Sequence, residues 1–236
     1  MNRYDPSSEE QDVAEPEPKR YGRGLFLATV AGGLSSLVWG KPVWSHVSAA
    51  LAPVDQLVPF VPSGWRIYTV SGSMPNFDPA TWRLQVGGLV ENELELDYND
   101  LRALPRVSQV SNFHCVTGWS VDNVHWTGVR LTDVLARVRP KAKAHGLRFT
   151  SAEVPYVDGL TMQQAQLHDV MLAYGMNGKP LPREHGAPLR LVIPEMYGYK
   201  NVKWLSRIDL VPEVELGYWE NLGYDRDAWV GRSNGY

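Results

Sequence analysis

Alternation of apolar and polar residues predicts several β-strands from residue 65 onward. Trp82, Leu84 and Val86 alternate with polar residues, and residues 107–116 follow the same period of two. A short apolar run at 189–193 is typical of a buried strand. The later part of the chain is therefore predicted to be rich in strands.

Short helices are predicted between these strands, each close to a residue whose side chain can cap a helix N-terminus. The predicted helices are 101–104 after Asn99 or Asp100, 133–138 at Thr132, and 162–166 after Thr161. Asn177 and Gly178 form a dipeptide typical of a hairpin turn. Strands outnumber helices without a regular alternation of the two, which predicts an α+β domain and not a doubly wound parallel sheet.

The first 64 residues differ in composition from the rest. Residues 1–23 are rich in acidic residues and proline, which predicts a disordered acidic lead. Residues 24–40 are uncharged and mostly apolar but fall short of the roughly 20 residues that span a bilayer, so we interpret them as an export signal or membrane anchor. A buried core helix is the alternative. Residues 41–64 would connect this segment to a single domain at 65–236, located outside the cytoplasm.

Charge and cysteine content narrow the classes of function. The 23 basic and 26 acidic residues leave a net charge of −3, so no global basic field gathers nucleic acid, and no nucleic-acid partner is expected. Cys115 is the single cysteine, which excludes an intrachain disulfide and any Cys-x-x-Cys metal or haem motif. The chemistry of one thiol is therefore the question that the composition raises.

Three interpretations of Cys115 are open. A lone cysteine beside apolar residues can be a small buried hydrophobic residue. It can be a nucleophile activated by His114 or His125, although neighbouring residues on a strand point to opposite faces and His114 is poorly placed as its base. It can also be a soft thiolate ligand for a metal that an organic cofactor carries. Spacing alone does not separate these interpretations.

A second group of residues suggests an anion site. Residues 197–207 contain Lys200, Lys203 and Arg207 and no acidic residue, which suits a phosphate held by backbone N–H groups and a lysine. The alternative is a solvated edge strand whose lysines prevent aggregation. Arg190 begins an apolar strand, and a guanidinium there needs an anionic or acceptor partner if it is buried.

Several motifs in this order resemble the molybdopterin-binding domain of the sulfite oxidase family, over roughly residues 66–236. They are Cys-Val-Thr-Gly-Trp-Ser at 115–120, Trp-Thr-Gly-Val at 126–129, Tyr-Val-Asp-Gly at 156–159, His-Gly-Ala-Pro-Leu-Arg at 185–190, and Tyr-Gly-Tyr-Lys at 197–200 followed by Val-Lys-Trp at 202–204. The resemblance implies a sulfite-oxidase-type fold with mixed sheets and short helices.

The resemblance also implies a site built around a molybdenum-molybdopterin cofactor. Cys115 would supply the thiolate that binds molybdenum beside the sulfurs of the pterin, and Tyr156 would take part in catalysis unless it is a core aromatic. The implied contacts to the pterin and its phosphate are Tyr68, Thr69, Ser151, His185, Arg190, Asn201, Val202 and Lys203.

The implied activity is a two-electron transfer of an oxygen atom on a small sulfur-containing substrate of the sulfite or sulfoxide type. Animal and plant sulfite oxidases carry an arginine pair soon after the ligand cysteine, whereas Trp119 and Ser120 stand here, closer to bacterial sulfoxide reductases of this family. The chain has no haem, flavin or iron–sulfur motif, so a separate electron-transfer protein is expected, for example a haem protein in the membrane. A cysteine-dependent hydrolase or thiol redox enzyme, and a non-catalytic cofactor-binding module, are the alternatives.

Overall fold

Ten β-strands carry the fold of residues 64–235, the part of the chain that the computed structural model describes. They are β1 (Leu84–Gly88), β2 (Leu94–Leu96), β3 (Val107–His114), β4 (Ser120–Arg130), β5 (Gly146–Ser151), β6 (Val157–Thr161), β7 (Met171–Met176), β8 (Lys179–Pro180), β9 (Arg190–Val192) and β10 (Leu205–Val211). The predicted lead at 1–23, the apolar segment at 24–40 and residues 41–63 of the connecting segment lie outside the described residues. Within residues 64–235, no helix has both the length and the apolar character to cross a membrane.

The strands form two sheets. The first has the order β2-β1-β10-β5-β6 and is mixed, because β1 and β10 run parallel while its other pairs run antiparallel. The second has the order β3-β4-β7-β8, with β9 also pairing with β7, and is antiparallel throughout. The prediction of a strand-rich α+β fold with mixed sheets is confirmed.

The three α-helices are short, and two of their predicted starts are wrong. They are α1 (Tyr98–Ala103), α2 (Leu131–Val138) and α3 (Met162–Ala165). Asp97 caps α1 by accepting from the backbone N–H groups of Asn99 at 2.7 Å and Asp100 at 2.8 Å, so the two predicted caps are themselves in the first turn. Thr132 also lies inside its helix, whereas Thr161 caps α3 as predicted.

Strand β7 of the second sheet is buried on both faces, and this places the site. Along β7, Leu172 faces the main core, while Met171 and Ala173 face a smaller apolar cluster that includes Trp126 of β4. A strand with two covered faces reads as a continuous apolar run, as β7 does. The end of β3, the start of β9 and the segment at Trp65 all contact this smaller cluster, which forms the floor of the candidate site.

Candidate cofactor site

A tight turn after β3 presents the Cys115 thiol. The N–H of Cys115 donates to the Trp119 carbonyl at 2.9 Å, and the N–H of Gly118 donates to the Cys115 carbonyl at 3.0 Å. Gly118 adopts a positive φ of 86°, which glycine accepts without steric cost. The thiol is partly buried with Sγ 3.1 Å from the Thr117 hydroxyl, and burial raises its pKa. The turn therefore places a partly buried thiol next to the smaller apolar cluster.

No histidine activates this thiol. His114 has Nδ1 2.8 Å from the Ser120 hydroxyl, and the backbone of His125 pairs with the Asn177 turn. Among residues 64–235, the side-chain hydrogen bond of the Cys115 sulfur is to a hydroxyl and not to an imidazole. A nucleophilic cysteine needs a base or a lowered pKa, and Cys115 has neither here, so the geometry disfavours the hydrolase interpretation.

Aromatic rings form the wall of the site beside the thiol. The ring of Trp65 lies between those of Phe113 and His185, with centroid distances of 4.8 Å and 4.6 Å. The centroid of the Trp119 ring is 6.1 Å from that of Trp65. The indole nitrogens of Trp119 and Trp126 are buried and have no hydrogen-bond partner among the described residues. Leaving a buried donor unpaired costs about 1–3 kcal/mol, so these two indoles suit a ligand that supplies acceptors.

Arg190 is a buried cation without an acidic partner. Its side chain donates to the carbonyls of His185 at 3.1 Å and Asn201 at 3.4 Å, and its guanidinium lies over the rings of Trp126 and Phe113. No carboxylate in residues 64–235 lies within ion-pair distance, and burial lowers the pKa of Arg190 to about 10. The predicted need for acceptors is met by carbonyls, which leaves the positive charge itself unbalanced.

Two more basic residues, Lys203 and His185, lie close to Arg190. The Lys203 ammonium donates to the carbonyls of Tyr68 at 2.8 Å and Glu184 at 3.4 Å. Burial and the charge of Arg190 lower the pKa of Lys203 to about 7, and the same two causes lower the pKa of His185 to about 4. A buried arginine whose charge lowers the pKa of two neighbouring basic groups indicates a site that can bind an anion.

Two other predicted contacts are engaged inside the protein. The Asn201 side chain accepts from the Ile193 N–H at 2.6 Å and donates to carbonyls at 196 and 197, while Val202 is fully buried in the main core. The N–H of Val202 donates to the Lys200 carbonyl at 3.0 Å. These residues fix the shape of the loop, and their direct contact with a cofactor stays a prediction.

The idea of a cationic loop acting as one unit is wrong. Lys200 is buried in ion pairs with Asp158 and Glu220, and Arg207 is an exposed residue of β10 that pairs with Asp209. Of the three basic residues that the sequence groups together, Lys203 is the one that reaches the site. The acidic partners all lie outside residues 197–207, and those of Lys200 are 42 and 20 residues away in the chain, so a count of charges within this range does not include them.

The side chains of Tyr156 and Ser151 hold the backbone of the segment at 199–203 in place. The Tyr156 hydroxyl donates to the Tyr199 carbonyl, and burial raises the pKa of Tyr156 well above its ordinary value. The Ser151 hydroxyl donates to the Lys203 carbonyl at 2.7 Å. Both hydroxyl protons are therefore engaged in holding backbone, so a catalytic part for Tyr156 would require its bond to Tyr199 to break.

A segment at 66–75 crosses the site and contains Tyr68 and Thr69. The buried carboxylate of Glu153 accepts from the N–H groups of Val70 at 2.6 Å and Ser71 at 3.1 Å, while the Tyr68 carbonyl accepts from Lys203. The Tyr68 ring lies 6.4 Å from that of Trp119. Sequence reasoning missed Glu153, because no local pattern of residues indicates that it is buried beside this segment.

Arg66 and Tyr224 are two further residues at the thiol that sequence reasoning missed. The charge of Arg66 acts to lower the pKa of Cys115, against the larger effect of burial. Burial raises the pKa of Tyr224, and the nearby Cys115 and Tyr68 add to the rise. Both residues are remote from Cys115 in sequence, so spacing gave no signal for either.

Comparisons with known proteins identify similar domains. Residues 71–219 match the model of the oxidoreductase molybdopterin binding domain. The uncharacterized oxidoreductase YuiH of Bacillus subtilis (strain 168) is 40% identical over 163 residues, covering 67% of this chain and 81% of that protein. The catalytic subunit MsrP of the protein-methionine-sulfoxide reductase of Xanthomonas axonopodis pv. citri (strain 306) is 35% identical over 156 residues, covering 60% and 48%.

Two more similar proteins widen the comparison. Mitochondrial sulfite oxidase of Homo sapiens is 33% identical over 180 residues, covering 64% of this chain and 33% of that protein. The crystal structure of the sulfane dehydrogenase SoxCD from Paracoccus pantotrophus has a TM-score of 0.57 at 26% identity, covering 64% of this chain and 46% of that one. The chain spans about half or less of the length of MsrP, sulfite oxidase and SoxCD.

Proposed function

Because this chain belongs to the oxidoreductase molybdopterin-binding domain family, we propose that it carries out two-electron chemistry on a small sulfur-containing substrate, with a molybdenum cofactor held at Cys115. The observation that carries this proposal is the buried guanidinium of Arg190, which lies over the Phe113 ring near the Cys115 turn and has no carboxylate partner in residues 64–235, with the Lys203 ammonium as a second cation. An anionic pterin phosphate matches that charge.

The described residues fit the cofactor. The Cys115 thiol would bind the metal as thiolate, Arg190 and Lys203 would hold the anionic part of the pterin, and the unpaired indole N–H of Trp119 would gain an acceptor. When bound, the cofactor supplies the two-electron exchange: a sulfoxide takes up two electrons and two protons to give a sulfide and water, or sulfite and water give sulfate, two electrons and two protons.

The residues at the mouth favour the sulfoxide over sulfite. The rings of Trp119 and Tyr68 lie 6.4 Å apart and would supply apolar surface to a bound substrate. Arg66 is the exposed cation whose charge reaches Cys115, in place of the arginine pair expected for sulfite. A neutral sulfoxide needs less positive charge than a sulfite anion, so we infer a sulfoxide-type substrate.

Electrons would come from another protein in this proposal. The sequence contains no haem, flavin or iron–sulfur motif, so a separate electron-transfer protein is required, for example a haem protein in the membrane. The apolar segment at 24–40 supports a location outside the cytoplasm. If this segment is an anchor and not a cleaved signal, it would also attach the protein to the membrane. The relative MsrP is by its name the catalytic subunit of a sulfoxide reductase, which agrees with a partner.

Metal analysis of the full chain tests the proposal. Protein made in a host that synthesises molybdopterin is expected to contain stoichiometric molybdenum and to reduce a methionine sulfoxide with a reduced dye faster than it oxidises sulfite. Protein from a host unable to make the pterin is the control. Absence of molybdenum would refute the proposal. Activity without metal that a thiol reagent blocks would instead support a cysteine enzyme. Bound molybdenum without turnover would support a non-catalytic binding module.

Replacing Lys203 by methionine is expected to weaken cofactor retention by roughly 10- to 100-fold, because a charge-assisted hydrogen bond contributes about 1.5–3 kcal/mol. The difference from the wild type should shrink as the salt concentration rises, since salt screens the charge contact that the wild type has and the variant lacks. The measurement is the ratio of molybdenum to protein after dialysis at low and high salt. Arg207→Met, which removes an exposed cation outside the site, is the matched control. Equal retention in both variants would remove Lys203 from the site.

A further inference from the structure

A buried charge cluster lies directly beneath the cofactor loop, which we define as residues 197–203. The Lys200 ammonium lies 2.7 Å from Asp158 Oδ1 and 3.0 Å from the Gly159 carbonyl, and it also donates to Glu220. The side chains of Lys200, Asp158 and Glu220 are at most 2% exposed. One ammonium therefore joins β6, the cofactor loop and the C-terminal segment at a single point.

Stability alone does not account for this cluster. Burying an ion pair costs several kcal/mol per ion, and well-packed apolar residues often serve as well or better. An ammonium with three donors, each aimed at a different acceptor, does fix geometry. The cluster therefore specifies where the loop sits with respect to β6 and Glu220.

The loop that the cluster holds carries the groups that meet the cofactor. Lys200 ends the turn 198–200, whose Tyr199 carbonyl also accepts from Tyr156. The next residue, Asn201, offers its carbonyl to Arg190, and Lys203 follows two positions later. A displacement of Lys200 would consequently move both cations of the anion site.

The charges within the cluster do not balance if both carboxyls are ionised. Two carboxylates and one ammonium would leave one excess negative charge in a buried place. Burial, followed by the charge of Glu220, raises the pKa of Asp158 to about 7 in spite of Lys200. The titratable groups that face Asp158 are Lys200, Glu220, Tyr156 and Tyr199.

The unused carboxyl oxygens show where a proton would sit. Asp158 Oδ2 and Glu220 Oε2 are buried without a hydrogen-bond partner among the described residues. Both carboxyls face Gly217, where a Cβ would clash with the oxygen of Glu220. A proton on one carboxyl would give the cluster zero net charge and leave Lys200 bound to the other oxygens.

We propose that Asp158, Lys200 and Glu220 position the cofactor loop, and that they hold it firmly only while one of the two carboxyls carries a proton. This proposal rests on the proposed function in that it takes 197–203 to be the loop that contacts the pterin. Opening of the loop would let water reach Asp158, whose proton would then leave. The three residues are positioning residues, since they act on the cofactor through Arg190 and Lys203.

The direction of the pH effect follows from the protons bound in each state. The closed loop keeps the raised pKa of about 7 at Asp158, whereas the opened loop returns it toward 3.8, so the closed state binds more protons between these values. Each pH unit in that window should raise the opening constant by up to about tenfold, with a plateau above pH 8. Protection of the loop is present at low pH and is lost as pH rises through 7.

Hydrogen exchange of the full chain tests this without any cofactor. In protein from a host unable to make the pterin, the protection factors of the amides of Lys200, Asn201 and Val202 should fall at least about tenfold from pH 5 to pH 7. Amides of β4 should not follow that trend. In Asp158→Asn, a neutral side chain of the same shape, loop protection should be independent of pH, while Asp209→Asn should behave as the wild type.

The outcomes separate the two proposals. The same pH dependence in Asp158→Asn as in the wild type, or none in the wild type, would overturn the positioning proposal whatever the metal content. If Asp158→Asn does not fold, Glu220→Gln takes its place, because removal of the second carboxylate should also flatten the dependence of loop protection on pH. An unchanged pH dependence in Glu220→Gln would overturn the proposal. Wild-type protein without molybdenum would refute the proposed function and leave the exchange result readable.

Discussion

Cys115→Ser is expected to lower molybdenum-dependent turnover by more than about 100-fold, because replacement of even an outer-shell partner of a metal ligand commonly costs 10- to 100-fold. The hydroxyl that replaces the thiol is a harder donor and a poor substitute for a soft thiolate. Stability should change little, since the thiol has one side-chain hydrogen bond, to Thr117, which serine can also make. The measurements are turnover with a reduced dye, molybdenum content and thermal unfolding of the same preparation.

His114→Ala is the matched control for this variant. Its imidazole precedes the thiol by one position and pairs with Ser120, so a base role would make its loss as damaging as that of Cys115. We expect activity close to the wild type. Full metal and activity in Cys115→Ser would contradict the ligand role, and equal losses in both variants would point to a nucleophile with a base.

Arg190→Met is expected to weaken cofactor retention by roughly 10- to 100-fold, because a charge-assisted hydrogen bond contributes about 1.5–3 kcal/mol. The stability of the cofactor-free protein should change little. In the empty protein the guanidinium is a buried charge without a carboxylate partner, and removal of such a charge offsets the lost bonds to the carbonyls of His185 and Asn201. Methionine can fill the space beside Phe113 and Trp126.

Two measurements on the same variant decide the role of Arg190. The molybdenum-to-protein ratio reports cofactor, and the melting temperature of protein from a pterin-deficient host reports the fold. Arg148→Met, which removes a partly exposed arginine paired with Glu215, is the control and should retain full metal. Undiminished metal in Arg190→Met would exclude the anion role, and a collapse of the empty protein would show that the guanidinium is mainly structural.

Local patterns predicted those parts of the fold that depend on neighbouring residues. Asn177 and Gly178 form the turn between β7 and β8, each with the positive φ that such a hairpin requires. Thr161 caps α3, and Cys115 follows the end of β3. In each case a side chain or a backbone preference acts within a few residues, so the sequence pattern contains the necessary information.

Contacts between distant segments could not be predicted in this way. The sequence groups Lys200 with Lys203 because they are close in the chain, yet Lys200 is buried against Asp158, 42 residues earlier, and Glu220. Trp65 and His185 meet face to edge although nothing in either segment indicates the other. The resemblance implies which residues contact the cofactor, and the structure adds that Lys200 has two carboxylates within ion-pair distance, whereas Lys203 has none among residues 64–235.

The parallel pairing of β1 with β10 has a consequence for how the protein is made. Gln85 and Arg207 are neighbours in the sheet but lie 122 residues apart in the chain, and β10 stands in the middle of its sheet. Such distant pairing forms late and slowly, because the intervening chain must be closed into a loop first. A ribosome must therefore release the chain through β10 before this sheet can close, so we expect the pterin to be inserted only after that part of the chain has been synthesised.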